Sequence, residues 1–246
     1  MKSYQVAEVT DRDLSIVIPV SKKDQALWKR FLEDTGIYEN FFQKNIFFIA
    51  DTKNEDDPYA FQHNSCRKLH WVVHEGNRAQ KMNAGLKLVT TSHVLFLHID
   101  SIFLGDPMPA LQRALYQGYG KLWYFDLRFG LMEHRLVWNA IGANFRSYFF
   151  KMPFGDQGFL ISVSDFQVVG PFNEEADYGE DHLFVWQAKR GGLKIESLNH
   201  IVFTSGRKYY EQGWLKVTLR NFYRTWAQAI PEFLKYIKFK ISHRKF

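Results

Sequence analysis

The chain has 246 residues, of which 46% are hydrophobic, 24% charged and 17% aromatic. This composition excludes a disordered chain, and the length suits one large α/β domain or two small ones. The net charge of +6 is unevenly placed: residues 207–246 hold ten Lys and Arg against two Asp and Glu, whereas the rest holds 22 against 24.

The apolar, β-branched run SIVIPV at residues 15–20 predicts a buried strand. Asp24 to Glu33 places Leu27, Trp28, Phe31 and Leu32 on one helical face. Asn45–Ala50 is a second buried strand, stopped by Asp51, and Leu69–Val73 a third. Asn77 to Val89 is helical, with Ala79, Met82, Leu86 and Val89 at helix spacing. His93–Ile99 reads as a fourth strand, closed by Asp100, and Pro107–Gln117 as a short helix. Further on come strands at Leu122–Phe129 and Gly158–Val163 with a helix at His134–Phe150 between them. A helix at Asp181–Arg190 and a short strand at His200–Phe203 follow. The last forty residues are helical, with Leu215, Leu219, Phe222, Trp226 and Ile230 in one stripe expected to pack on the body, interrupted by Pro231. Alternating helices and fully apolar strands predict a mostly parallel sheet covered on both faces.

The N-terminal Met1–Asp13 is polar and of mixed charge, unlike a signal peptide, and no stretch reaches the roughly 18–20 apolar residues that span a bilayer. The lone Cys66 excludes an internal disulfide framework and a cysteine-built zinc site. A soluble, cytoplasmic protein is the expectation.

In an open parallel sheet, ligands bind beyond the carboxyl ends of the strands. Asp51 and Asp100 stand at two such ends. A dinucleotide site needs glycines after the first strand, where this chain has Pro19 to Asp24 without one, and no phosphate-binding P-loop is present. Asp181 stands where it can cap a helix or act as a base. Gly155 and Gly158 predict a tight turn around Asp156 and Gln157.

Seven pieces in this order carry a resemblance: SIVIPV at 15–20, Asp51, GNRAQKMNAG at 76–85, LFLHID at 95–100, PFGDQG at 153–158, Gly179-Glu180-Asp181, and TSGRK at 204–208. Together they resemble a family 2 glycosyltransferase of GT-A fold, in particular the small, soluble bacterial members. The resemblance runs from about Ser15 to Arg224. It implies an α/β domain over residues 1–206, with residues 207–246 as a basic, aromatic helical extension packed on it. It also implies transfer of a sugar from a nucleotide-diphosphate donor to an acceptor hydroxyl, with inversion. By the same resemblance, Asp51, Arg78, Asn83, Asp100 and Arg207 bind the donor. Asp100 holds a divalent metal, Mg²⁺ or Mn²⁺, with His98 in place of the first acid of the metal motif. Asp181, beside Glu180, is the catalytic base, and Asp156 and Gln157 face the acceptor. At residues 21–24 the chain has SKKD where many members carry an Asn–Glu pair, a departure that favours the alternative of a non-catalytic nucleotide-sugar-binding or membrane-associated protein keeping the fold. A sugar nucleotidyltransferase would need a glycine-rich basic loop after the first strand.

The cations after Pro231 (Lys235, Lys238, Lys240, Arg244 and Lys245) point to an anionic membrane surface. No nucleic-acid-binding module is present.

Overall fold

The computed structural model describes residues 14–35, 41, 44–53, 68–130 and 134–243. Met1–Asp13 and Cys66 lie outside them. Strand β1 (Leu14–Val20) pairs in parallel with β2 (Asn45–Ala50) on one side and β4 (His93–Phe96) on the other, and β2 pairs in parallel with β3 (Lys68–Val73). Because β1 is covered on both faces, it is apolar apart from Ser15, whose hydroxyl accepts from that of Thr91. Ile16 and Ile18 enter a core with Phe48, Leu95 and the inner face of helix α1 (Leu27–Thr35). Val17 and Ile49 point the other way, under helix α2 (Arg78–Leu86). A proline is unusual in a central strand. Here β4 leaves β1 after the Val17–Phe96 pair, so Pro19 lies where the strand has one partner, β2.

The second half adds β5 (Ile102–Phe103), α3 (Met108–Tyr116), β6 (Lys121–Phe129), α4 (His134–Phe149) and β7 (Phe159–Ser162). They are followed by α5 (Val163–Val169), α6 (Glu180–Arg190), β8 (Lys194–Thr204), α7 (Arg207–Gln212) and α8 (Trp214–His243). The sheet order is β3-β2-β1-β4-β7-β6-β8-β5. Strand β7 runs antiparallel to both β4 and β6, β8 runs parallel to β6, and β5 closes the far edge antiparallel to β8. Four of the seven neighbouring pairs are therefore parallel, which bears out the expected mostly parallel sheet flanked by helices, with a helical C-terminal extension.

Several boundaries differ from the sequence expectation. Strand β4 ends at Phe96; Leu97 N–H still bonds to Val17 C=O, but the chain then turns, with Ser101 N–H donating to His98 C=O. Strand β8 spans eleven residues rather than the four of His200–Phe203. It passes through Asn199 at φ 51° opposite a register shift in β6 between Tyr124 and Asp126. The irregularity breaks the period-two alternation by which a strand is read. Helix α8 runs through Pro231 without interruption. Residues on either side are tied down: Ala229 is buried, and the buried Glu232 pairs with Arg190 of α6.

The stripe of α8 is also placed differently. Leu215, Leu219, Phe222 and Ile230 are all more than half exposed, and Trp226 is half-buried. The packing face is instead Val217, Thr225, Ala229 and Glu232. Periodicity detects an apolar face but does not say whether anything covers it. No helix among the described residues is long and apolar enough to cross a membrane.

Helix α2 lies close on the sheet at Gly85, where a Cβ would come within 2.4 Å of Val17 Cγ1. By contrast, a Cβ at Gly142 of α4 would meet nothing within 4 Å. Gly85→Ala should therefore destabilise the fold by about 1–3 kcal/mol through overpacking. Gly142→Ala should stabilise it by about 0.4–1 kcal/mol by restricting the unfolded chain. Urea unfolding of both variants checks the pair of signs; a neutral Gly85→Ala would show that α2 can lift from β1 freely.

Candidate active site

A cleft of about 520 Å³ opens beyond the carboxyl ends of β1, β2 and β4, where ligands bind in open α/β sheets. Asp51, Arg78, Asp100 and Arg207 all line it, as do Lys81, His98 and Lys208. Four of the five residues expected to bind a donor are thus brought together. The fifth, Asn83, does not line the cleft. Its buried amide accepts from Phe172 N–H (3.0 Å) and donates to Phe172 C=O (2.9 Å) and Glu174 (2.8 Å), clamping the segment before α6 onto α2.

Asp51 is not a bare carboxylate. Its Oδ1 lies 2.7 Å from Nζ of the buried Lys81, and its Oδ2 accepts from Lys22 N–H at 2.9 Å. Lys81 also donates to Val20 C=O, so the pair ties the ends of β1 and β2 to α2. Burial pushes the Asp51 carboxyl up, but the Lys81 and Lys22 donors outweigh it and hold the group below its usual range. Lys81 was invisible as a site residue, because an apolar period over Ala79, Met82 and Leu86 does not tell which polar neighbour turns inward.

Arg78 begins α2 behind Asn77, whose side chain caps the helix in a reciprocal box with Gln80. Its guanidinium reaches Glu180 at 3.3 Å. Across the cleft, Asp100 Oδ2 accepts from Ser205 N–H at 3.2 Å. Its Oδ1 makes no hydrogen bond among the described residues. Arg207, at the start of α7, reaches over to Asp24 at 2.8 Å. The Lys208 pKa is lowered by partial burial and then by the nearby Arg78 and Lys23 cations. Cations that crowd one another in this way favour an anion between them. His98 is held well below its usual pKa by burial and then by Arg78 and Lys208, and so is neutral.

Behind Arg78 and His98 a small hollow reaches Gly155 and Asp181. Asp181 Oδ2 accepts from Gly155 N–H at 2.5 Å and Oδ1 from its neighbour His182 N–H at 2.8 Å. A side chain at residue 155 would collide, since a Cβ there would lie 2.9 Å from Asp181 Oδ2 and 3.2 Å from His98 Nε2. Gly179 at φ 64° starts α6, and burial, then the Asp181 charge, push the Glu180 pKa up against the pull of Arg78. Helix α8 braces this turn: Gln228 donates to Tyr178 C=O and lies 3.0 Å from His182 Nδ1. Trp186 Nε1–H donates to His182 Nε2, which assigns the proton to Nδ1.

The two residues expected to face an acceptor do not line the cleft. Gln157 is fully buried, donating to Phe125 C=O and accepting from Ser147 and Phe154 N–H. Asp156 is half-buried, and its Oδ1 is enclosed without a hydrogen-bond partner among the described residues. Burial, with the Asp181 and Asp100 charges and against the pull of Arg146, pushes its pKa up to about 6. Arg146, which sequence reasoning passed over, stacks on Phe154 at 3.6 Å and donates to Met152 C=O.

No family model matches the chain, and no curated protein sequence matches it. Solved structures do. A mannosyltransferase from Pyrobaculum calidifontis, in complex with GDP-Man and Mn²⁺, superposes with a TM-score of 0.63 at 12% identity, over 92% of this chain and 68% of that one. GalNAc-T7 with UDP, GalNAc and Mn²⁺ gives 0.59 at 10% identity, over 78% and 44%. S. aureus TarS gives 0.53 at 13% identity; there the match covers 79% of this chain and about a third, 35%, of the TarS chain. The chain therefore has the fold of these glycosyltransferases.

A carboxyl with pKa raised from 3.8 to about 6 binds its proton more tightly in the folded than in the unfolded chain. The stability this contributes is complete below pH 3.8 and is lost as pH rises through about 6. Removing the charge should remove that loss. Between about pH 4 and about pH 7, the unfolding free energy of Asp156→Asn should gain about 2–3 kcal/mol relative to the natural protein. Urea titrations at the two pH values measure this; a difference that does not change with pH would mean Asp156 titrates as an ordinary carboxyl.

Proposed function

We propose that the protein is a glycosyltransferase of family 2 that moves a sugar from a nucleotide-diphosphate donor to an acceptor hydroxyl with inversion. The observation that carries this reading is the facing of two charge sets. Arg78, Lys208 and Asp100 line a cleft at the strand ends, Asp181 lines the hollow behind it, and Glu180 pairs with Arg78. Cations suit a diphosphate, and a carboxylate behind the sugar suits proton removal.

A divalent metal, Mg²⁺ or Mn²⁺, fits the residues present. Asp100 offers a free Oδ1 to the cleft, although no group of three or more His, Cys, Asp or Glu that could hold a metal stands among the described residues. Mg²⁺ is often held by one or two carboxylates together with substrate phosphates, so Asp100 alone suffices from the protein side. When bound, the ion supplies positive charge to the diphosphate as it leaves.

The chain's own residues do the rest. Arg78 and Lys208 bind the diphosphate oxygens, and Arg207 adds a third cation at the mouth. Asp51, with Lys81, faces the nucleoside end. Asp181 takes the proton of the acceptor hydroxyl as that oxygen bonds to the anomeric carbon and the bond to the diphosphate breaks, its electron pair leaving with the phosphate. The amides of Gly155 and His182 orient the carboxylate and leave each oxygen a second lone pair for the proton. Arg78 couples the two ends, since it pairs with Glu180 while lining the cleft.

Mass-spectrometric screening of the purified protein against a panel of sugar nucleotides identifies the donor. With that donor, Asp181→Asn should lower kcat by roughly 10²–10⁴ while donor affinity stays within a few-fold, because proton removal matters in the transition state. Asp100→Asn should weaken donor binding only when the divalent ion is present. Turnover of Asp181→Asn within a few-fold of normal would place the base elsewhere. Tight donor binding with no turnover on any acceptor would favour a non-catalytic nucleotide-sugar binder, the reading to which the SKKD stretch lends weight.

A further inference from the structure

Helices α4 and α8 each bury one face against the body and leave the opposite face bare. On α4, Val137, Trp138, Ile141, Phe145, Tyr148 and Phe149 are all at least half exposed. At 100° per residue they project within an arc of about 120°. On α8, Leu215, Leu219, Phe222, Tyr223, Ile230 and Leu234 are equally exposed and fall in an arc of the same width, continued by Ile241. The two faces are continuous, because ring contacts run from Tyr148 through Phe149, Phe145 and Phe150 of the α4 end to Trp226 and Phe222 of α8. Soluble monomers rarely expose so large an apolar surface without using it.

On these two helices the exposed charge has one sign. Helix α4 contains no Asp or Glu. The one acid of α8, Glu232, is buried and paired with Arg190 and Lys235. Lys216 and Lys238 stand on one border of the α8 stripe, and the region from residue 207 onward carries a net charge of +8. We propose that the joined outer faces of α4 and α8 dock on the surface of an anionic lipid bilayer, with the aromatic rings at the headgroup–acyl boundary and the lysines against lipid phosphate. A second copy of the chain fits less well. An isologous contact would press the same basic border against itself with no acid to receive it. No helix among the described residues is long and apolar enough to cross a bilayer, and the docking proposed is in-plane, as amphipathic helices with a basic border do. The inner faces of the same helices hold Gln157 through Ser147 and the turn before Asp181 through Gln228. The docked surface therefore lies about one helix diameter, roughly 10 Å, from the candidate site. This inference does not depend on the glycosyl-transfer reading.

Co-sedimentation of the full chain with vesicles tests it. At low salt the protein should pellet with equimolar phosphatidylcholine and phosphatidylglycerol, and much less with phosphatidylcholine alone. Raising salt should weaken the binding by screening. The exposed changes Trp138→Ser, Phe149→Ser and Phe222→Ser together should weaken it about tenfold or more, since each removes a large apolar side chain from the lipid contact. Lys216→Glu with Lys238→Glu should also weaken it, mainly on the anionic vesicles. Unfolding curves of the variants, unchanged from the natural protein, would exclude a folding defect. Two results overturn the proposal: no pelleting with anionic vesicles at low salt, or a stable dimer in sedimentation velocity that the serine variants dissociate.

Discussion

The contact between Gly155 and Asp181 fixes the rest of the site. An acid at the start of a helix would ordinarily turn back to cap it. Here the Gly155 amide takes one of its oxygens and His182 N–H the other, so the carboxylate is aimed at the hollow behind Arg78 and His98. That contact requires two segments far apart in sequence to meet without a side chain between them. The 153–158 turn is held by Gln157, which reaches β6 and α4, and the start of α6 is held by Gln228 of α8. The C-terminal helix is thus part of the frame around the acid.

Much of the fold was legible because its signal is local. The first four strands are mostly apolar, and the helices between them follow a 3.6-residue period, so their succession along the chain and the sheet type could be read directly. What failed was non-local. Strand β8 lost its alternation at the irregularity around Asn199, and β5, two residues long, carries too little pattern to be seen. Pro231 reads as a break, but the ties of Ala229 and Glu232 hold the helix on both sides of it.

Among the site residues, those standing just past strand ends were legible for a physical reason: strands that run the same way deliver their carboxyl ends to one rim. Asp51, Asp100 and Arg207 meet there, and Arg78 joins them from the start of α2. Residues inside turns and helices were harder. Asn83 and Gln157 carry the right chemistry for a ligand, yet both spend their amides on backbone groups of the protein. Lys81 and Arg146 do the reverse, being long cations whose inward direction is set by a partner, Asp51 or Phe154, that no spacing rule connects to them.

The ion pair between Arg207 and Asp24 joins two walls of the cleft that are 183 positions apart in the chain. Both side chains touch solvent, and such exposed pairs contribute little, about 0.5 kcal/mol. At that strength the pair does little to hold the two walls together, and less as ionic strength rises. Salt weakens this exposed contact, whereas the more buried Lys81–Asp51 pair at the far end of the cleft is screened far less.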